Sequence, residues 1–382
     1  MKIKLNTATF QNMVAKAVKG ASSNTNLYLT QLMAISLKDN ELVLTTTDSS
    51  NYLYVKEQKV AGDDFYAVVP VDKFSKLISK LTCENVTLEI PSKKSGDVDK
   101  LIVHGNGKYV IELPYDEDGE LVEFPDPIAE VLDGDDGDWE KTDVKLSTIH
   151  LMLSTAKAAL MVGTEAPCYT GYYCGERIVT TDTYKICGID INMFDEPKLI
   201  PPELMDLLDV MSEEDIEVNY NDDTFIFSTD HVDVYGHTLE GIEDYQIDAI
   251  SSLLDEKFTS SCKIEKAQLL QLLERLALFV ETYDKNSVYL TFTKDGLLVS
   301  SKQDSGSEII PYVDSKSFKN YTCCLDIGLF KTQIKANQSD VIEMLYGKEN
   351  SIKIVDGNMK QILALAEDDR LSDSEDEDSD EA

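Results

Sequence analysis

Two aspartates sit in the same local phrase. Residues 41–55 read ELVLTTTDSSNYLYV and residues 177–190 read RIVTTDTYKICGID, so Asp48 and Asp182 each follow paired threonines between apolar stretches. Together with His150, His231 and His237, such carboxylates are the raw material of an acid–base or metal site. The spacing argues against both. No HxH or HExxH pair occurs among the four histidines, and there is neither a G-x-S-x-G elbow nor a P-loop. A short acid at a strand end more often accepts backbone N–H bonds and closes a turn, and this is the preferred reading for both residues. The corresponding third stretch, GLLVSSKQDSGSE, has no Thr-Asp at all. Neither a catalytic residue, a metal site nor a cofactor is expected. The seven cysteines (Cys83, Cys168, Cys174, Cys187, Cys262, Cys323, Cys324) lack CxxC spacing and read as reduced, largely buried thiols of a cytoplasmic protein.

Charge narrows the partners less than it first suggests. The 382 residues carry a net −36, but two segments supply −21 of it. Residues 114–140 hold twelve acids and no base, and residues 367–382 hold ten acids against one arginine. The first reads as a linker and the second as a disordered tail. The remainder is moderately acidic, and binding depends on the local field of one surface. No stretch approaches the roughly 20 apolar residues that span a bilayer, and the N-terminus MKIKLNTATF does not read as a signal peptide.

Between these segments the chain repeats itself. A short strand (KIKLN, DVKLS, SCKIE) leads three times into a helix of 3.6-residue periodicity. The first presents Phe10, Met13, Val14, Ala17 and Val18 on one face; the second, Ile149, Leu153, Ala156 and Leu160; the third, Leu269, Leu272, Leu273, Leu276 and Val280. Thr7 and Ser147 are placed to cap the first two. Hairpins follow at Asp39-Asn40, Gly175-Glu176 and Asp295-Gly296. A second strand–helix unit comes next in each block: YAVVPVDKFSKLISKL, KLIPPELMDLLDVM and YTCCLDIGLFKTQIKAN. The order β-α-β-β-β thus occurs twice per block, and the fold class is α+β. The predicted layout is domain 1 at 1–125, an acidic linker at 126–140, domain 2 at 141–250, domain 3 at 251–366 and the tail at 367–382.

In order and spacing, LTTTDSSNYL, VVPVDKFSKLISKL, KYVIELPYDEDGELVEFPD, YTGYYCGERIVTTDTYKI, IPPELMDLL and LEGIEDYQI resemble the bacterial-type DNA sliding clamp, the β-subunit family of the replicative polymerase. The resemblance covers nearly all of residues 1–366. Three blocks, where eukaryotic and archaeal clamps have two, point to the bacterial or phage type, and the departures to a divergent member. What it implies is a homodimeric ring around double-stranded DNA, bound without regard to sequence, with strands outside and helices lining the hole. A DNA polymerase would be tethered to it and an ATP-driven clamp loader would open it. It implies no enzymatic activity.

Helices facing DNA should carry bases, because phosphate neutralisation supplies sequence-independent affinity. Lys16, Lys19, Lys73, Lys76, Lys80, Lys157, Lys266, Arg275, Lys331 and Lys335 stand on five of the six repeat helices; the fourth carries Glu203, Asp206 and Asp209 instead. The family also takes partner peptides in a groove between domains 2 and 3. Its usual Thr-Asp-Gly-His-Arg-Leu is here Thr181-Asp182-Thr183-Tyr184-Lys185-Ile186. Tyr169 falls at a second groove position, and Ile362, Leu363 and Leu365 stand where the family ends in a Pro-Met-Arg-Leu-like segment. The tail starts beside this proposed groove, where it would screen access or serve solubility alone. The alternative function is an acidic DNA mimic or partner-binding regulator that does not encircle DNA; basic helices count against it.

Overall fold

The computed structural model describes residues 1–22, 27–91, 99–133, 139–163, 165–280, 286–303 and 305–366. The expected acidic tail lies outside them. No helix among them is long and apolar enough to cross a membrane. The chain divides into two compact units, Met1–His150 with Glu203–Thr238, and Leu151–Pro202 with Leu239–Ala382. Eight α-helices occur among the described residues: α1 (Thr7–Ala17), α2 (Val71–Ile78), α3 (Pro127–Asp133), α4 (Leu146–Ser154), α5 (Pro202–Leu208), α6 (Ile247–Asp255), α7 (Lys266–Leu276) and α8 (Ile327–Ala336).

The first unit holds two antiparallel sheets. One has four strands in the order Lys2–Asn6, Asn85–Glu89, Lys100–His104 and Lys108–Glu112. The other has eight: Phe65–Pro70, Leu32–Lys38, Glu41–Thr47, Tyr52–Glu57, Val232–His237, Thr224–Ser228, Asp215–Tyr220 and Glu140–Lys145. α1 and α2 pack side by side against the sheets, with Phe10 edge-on to Phe74 at 6.1 Å and both rings buried. Asp39 and Asn40 both take positive φ (52° and 66°), the geometry a two-residue hairpin requires.

The second unit repeats the plan. A four-stranded sheet runs Ser307–Ile310, Leu297–Ser301, Ser287–Phe292 and Tyr321–Asp326. A nine-stranded sheet runs Lys198–Ile200, Tyr172–Cys174, Ile178–Thr181, Lys185–Ile189, Met359–Ala364, Ser351–Asp356, Val341–Tyr346, Ser260–Glu265 and Asp314–Lys316. The expected apolar face of α7 is fully buried at Leu269, Leu272, Leu273 and Leu276, and it shares one core with Phe330 and Ile334 of α8.

The sheet order carries a rule. Each β-α-β-β-β repeat contributes its last three strands to one sheet and its first strand to the other. Each large sheet is two four-stranded halves joined edge to edge, and in the nine-stranded one Asp314–Lys316 adds a further strand beyond Ser260–Glu265. Tyr52–Glu57, the last strand of the first repeat of block one, pairs antiparallel with Val232–His237, the last strand of block two. Lys185–Ile189 pairs in the same way with Met359–Ala364, the last strand of block three. Two equivalent edges have no partner strand among the described residues: Lys108–Glu112 and Ser307–Ile310.

Some local expectations change. The α1 cap is Asn6, whose side chain accepts from the Thr9 backbone N–H at 3.1 Å, because the strand runs one residue short of Thr7, which opens the helix and is buried. Ser147 is likewise inside α4 and not before it. That helix stops at Ser154 and gives way to a 3-10 turn at Ala156–Ala159, where a longer helix was expected. α3 and α6 form in stretches that read as linker and boundary; each covers a sheet junction. Ile128 and Val131 pack with Tyr54 and Tyr235, and Ile250 and Leu254 with Ile186 and Ile362.

Candidate partner groove and DNA-facing residues

The Thr-Thr-Asp phrase builds the same turn twice. Thr46 donates its hydroxyl to the Ala17 carbonyl at the end of α1 (2.6 Å), and Thr180 does so to Ala156 in the 3-10 turn (2.7 Å). The second threonine closes the loop: Thr47 donates to the Asn51 carbonyl at 2.7 Å and Thr181 to that of Lys185 at 2.8 Å. The aspartate then accepts two backbone N–H groups. Asp48 Oδ1 takes those of Ser50 and Asn51 (2.9 and 2.8 Å), and Asp182 Oδ1 takes those of Tyr184 and Lys185 (3.0 and 2.7 Å). The intervening Ser49 and Thr183 are left-handed, at φ 91° and 74°. Both carboxylates are committed to architecture. Among the described residues no cluster of three His, Cys, Asp or Glu could hold a metal ion.

Beside the second turn, wholly within the second unit, lies an open groove of ≈ 560 Å³. Ile186 and Ile362 are cross-strand partners and form its floor. Tyr184, 64% exposed, stands on one side, and Leu253 of α6 stands on another at 43%. The polar lining comes from Thr183, Glu256, Lys348, Glu349, Asn350 and Ser351. The Ala364 N–H donates to the Tyr184 carbonyl at 2.9 Å and fixes the turn to the last strand.

The first unit supplies an internal comparison. Tyr52 and Tyr235 occupy the register positions of Ile186 and Ile362 at its own sheet junction. Their rings meet edge-on at 6.1 Å, and Phe124 lies edge-on to Tyr52 at 6.5 Å. Aromatic side chains fill that junction; two isoleucines leave the other one open.

Of the nine expected groove residues only Tyr184, Ile186 and Ile362 line it; Thr181 and Asp182 close the turn, and Tyr169, Lys185, Leu363 and Leu365 are engaged elsewhere. Lys185, 9% exposed at its side chain, pairs with Asp182 Oδ2 at 2.9 Å and donates to the Ala158 carbonyl at 2.8 Å. Leu363 pairs opposite Lys185 and is buried in the α7–α8 core, which Leu365 also joins. Successive residues of a strand face opposite sides, so Ile362 and Ala364 line the groove and Leu363 and Leu365 do not. Tyr169 stacks edge-on against Tyr245 at 4.9 Å, packed on the apolar cluster that includes both isoleucines. Leu253, Glu256 and the 347–351 turn were missed, and only the apolar pair in SSLLDEK hints at α6.

α6 is fastened as a groove wall. Gly188 admits it: a Cβ there would lie 2.5 Å from Leu254. The buried Lys353 donates to the Leu254 and Glu256 carbonyls at 2.8 and 2.5 Å, and burial pushes its pKa down. Asp255 takes Lys360 at 3.1 Å and Arg177 at 3.2 Å. Hydrogen bonding from Lys360, then from Arg177, holds its carboxyl below the usual range.

The ten candidate DNA-facing bases differ in their engagements. Lys19, Lys73, Lys80 and Lys335 are exposed, with no ion-pair partner among the described residues. Lys157 is exposed on the 3-10 turn. Lys76 pairs with Asp72 at 2.5 Å, and Lys16 donates to the Ser212 hydroxyl at 3.4 Å. Lys266 caps α8 through the Asn337 carbonyl at 2.8 Å. Arg275 grips Glu308 through Nε at 3.0 Å and through Nη2, and Lys331 pairs with Glu274 at 3.4 Å. α5 exposes Glu203 and Asp206.

No protein-family model matches the sequence, and no curated protein sequence matches it. Solved structures do match. The β subunit of the DNA polymerase of Streptococcus pyogenes superposes with a TM-score of 0.81 at 14% identity, covering 96% of this chain and 100% of that one. The DNA polymerase sliding clamp of Bacillus subtilis gives 0.79 at 15% identity, with 96% and 99% covered. The polymerase III β subunit of Thermotoga maritima gives 0.75 at 17%, again with 96% and 99% covered. Over nearly its whole length, this chain has the fold of the bacterial DNA polymerase sliding clamps.

Proposed function

We propose that this chain is a DNA sliding clamp, a non-catalytic processivity factor that encircles duplex DNA and tethers a DNA polymerase. The observation that carries the reading is the end-to-end likeness to sliding clamps, 96% of this chain against 100% of the streptococcal β subunit. Three domains (1–125, 141–250 and 251–366) follow the block structure. The ring is a homodimer, opened by a clamp loader ATPase, in the cytoplasm of a bacterial or phage-infected cell. Lys19, Lys73, Lys80 and Lys335 are its free cations toward phosphate, and the groove at Ile186 and Ile362 receives partner peptides.

The sheet rule supports head-to-tail closure. The last strand of a block's first repeat pairs with the last strand of the following block. Applied to the two unpaired edges, the rule joins Ser307–Ile310 of one copy to Lys108–Glu112 of another. Tyr109, Val110 and Ile309 are exposed there, at 37%, 46% and 49%. Each chain offers one edge of each kind, so the contact is head to tail, the arrangement from which a closed dimer is built when the rotation between copies closes. Native mass spectrometry of the full chain at micromolar concentration tests this. The expected result is a dimer, reduced to monomer by Ile309→Lys; a monomeric wild type contradicts it.

A further inference from the structure

We propose that the joint between blocks two and three is a built-in weak seam, at which the chain yields before the matching joint between blocks one and two. The inference goes beyond the clamp reading and does not depend on it. Each joint is a strand pair backed by a helix. In the second unit Met359–Ala364 pairs with Lys185–Ile189, and α8 packs behind that strand and against the 3-10 turn Ala156–Ala159. Gln338, just past α8, donates to the Ser154 hydroxyl of block two at 3.3 Å.

The backing of this joint is polar. Gln333, Asn337 and Gln361 are all buried there. The Asn337 amide donates to the Gln333 carbonyl at 2.8 Å and to Gln361 Oε1 at 3.0 Å, and Gln361 Nε2 donates to the same Gln333 carbonyl at 3.2 Å. The carboxamide of Gln333 takes no part. Among the described residues neither its Nε2 nor its Oε1 has a hydrogen-bond partner, and Asn337 Oδ1 has none either. The other repeats hold apolar residues at these places. Gln333 and Asn337 stand three and seven residues after the buried Phe330. The same steps lead from Leu204 of α5 to Leu207 and Met211, and from Phe74 of α2 to Leu77 and Leu81. Val234 holds the register position of Gln361.

The two backings set opposite preferences. A buried polar group without a partner disfavours the closed state by about five- to a hundredfold, and opening returns it to water. Leu207, Met211 and Val234 resist opening, because it exposes their apolar surface. The seam beside Gln333 therefore opens more readily, as a local event short of global unfolding. Its parting separates the two halves of the nine-stranded sheet while the eight-stranded sheet holds.

Hydrogen exchange of the full chain, read by mass spectrometry, tests this on the wild type and on Gln333→Leu. That variant puts at 333 the residue type of Leu207 and Leu77. It loses no hydrogen bond among the described residues, because the contacts of Gln333 run through its backbone carbonyl. In the wild type, the amides of Lys185–Ile189 and Met359–Ala364 should exchange at least about tenfold faster than those of Tyr52–Glu57 and Val232–His237. Gln333→Leu should slow the first pair of strands at least about fivefold and leave the second pair unchanged. Asn337→Leu, which removes bonds that hold the seam, should speed the first pair instead. Equal wild-type protection of the two joints overturns the proposal. So does a Gln333→Leu chain whose seam exchanges as fast as before or faster, since the carboxamide is then satisfied in the closed state. Neither result bears on encirclement, which retention on DNA reads separately.

Discussion

Asp48→Ala and Asp182→Ala remove the same carboxylate from the same turn, yet they should not cost the same. Each substitution strips the acceptor from two backbone N–H groups. By analogy with lost helix caps, that costs about 1–2 kcal/mol. In block one the second oxygen accepts from the Asn51 amide at 2.9 Å, a group that is buried but neutral. In block two it faces the ammonium of Lys185, whose side chain is 9% exposed. Removing the partner of a buried charge costs about 3–5 kcal/mol, although the Ala158 carbonyl still accepts from this ammonium. Asp182→Ala should therefore be more destabilising by about 2 kcal/mol. Adding Lys185→Met should recover part of the loss, because it removes the stranded charge. Urea unfolding of each variant, with hydrogen exchange of residues 183–189 to localise the effect, provides the measurement. Equal losses for the two aspartates, or a double variant less stable than Asp182→Ala alone, would refute this reasoning.

Two further outcomes follow from the geometry. Ile186→Tyr with Ile362→Tyr should copy the filled junction of Tyr52 and Tyr235, weakening peptide binding at least tenfold, about 1.4 kcal/mol, while thermal unfolding stays near wild type. Replacing Lys19, Lys73, Lys80 and Lys335 by Gln should flatten the dependence of log K for DNA on log salt by up to about 0.9 per lysine. Arg275→Gln and Lys331→Gln, which remove charges already held by Glu308 and Glu274, should change it less; equal effects would count against the assignment.

The repeats were legible because each encodes its own helix period, hairpin and turn chemistry within 40 to 56 residues. Asp39-Asn40 and the Thr-Thr-Asp turns formed as the residue types dictate. The groove was harder to read for a physical reason. Whether Ile362 or Leu363 faces it depends on the register Ile186↔Ile362, a pairing across 176 residues that no local pattern encodes. Lys185 reads as a surface cation, but its role depends on the Ala158 carbonyl, brought to it by a separate turn. The same holds for the basic helices: the sequence displays Arg275 and Lys331, and only the packing of α7 beside the strand Ser307–Ile310 and against α8 brings Glu308 and Glu274 to them. α6 was hidden because its buried residues, Ile250 and Leu254, stand among serines and acids that read as loop.

Encirclement is a topological property, and it is read out by retention on DNA without free ends. The chain is loaded by a clamp loader and ATP onto nicked circular DNA, then passed through a sizing column at high salt. A ring should elute with the circle and be lost once a restriction enzyme linearises the DNA. Release from circles as fast as from linear molecules would contradict encirclement.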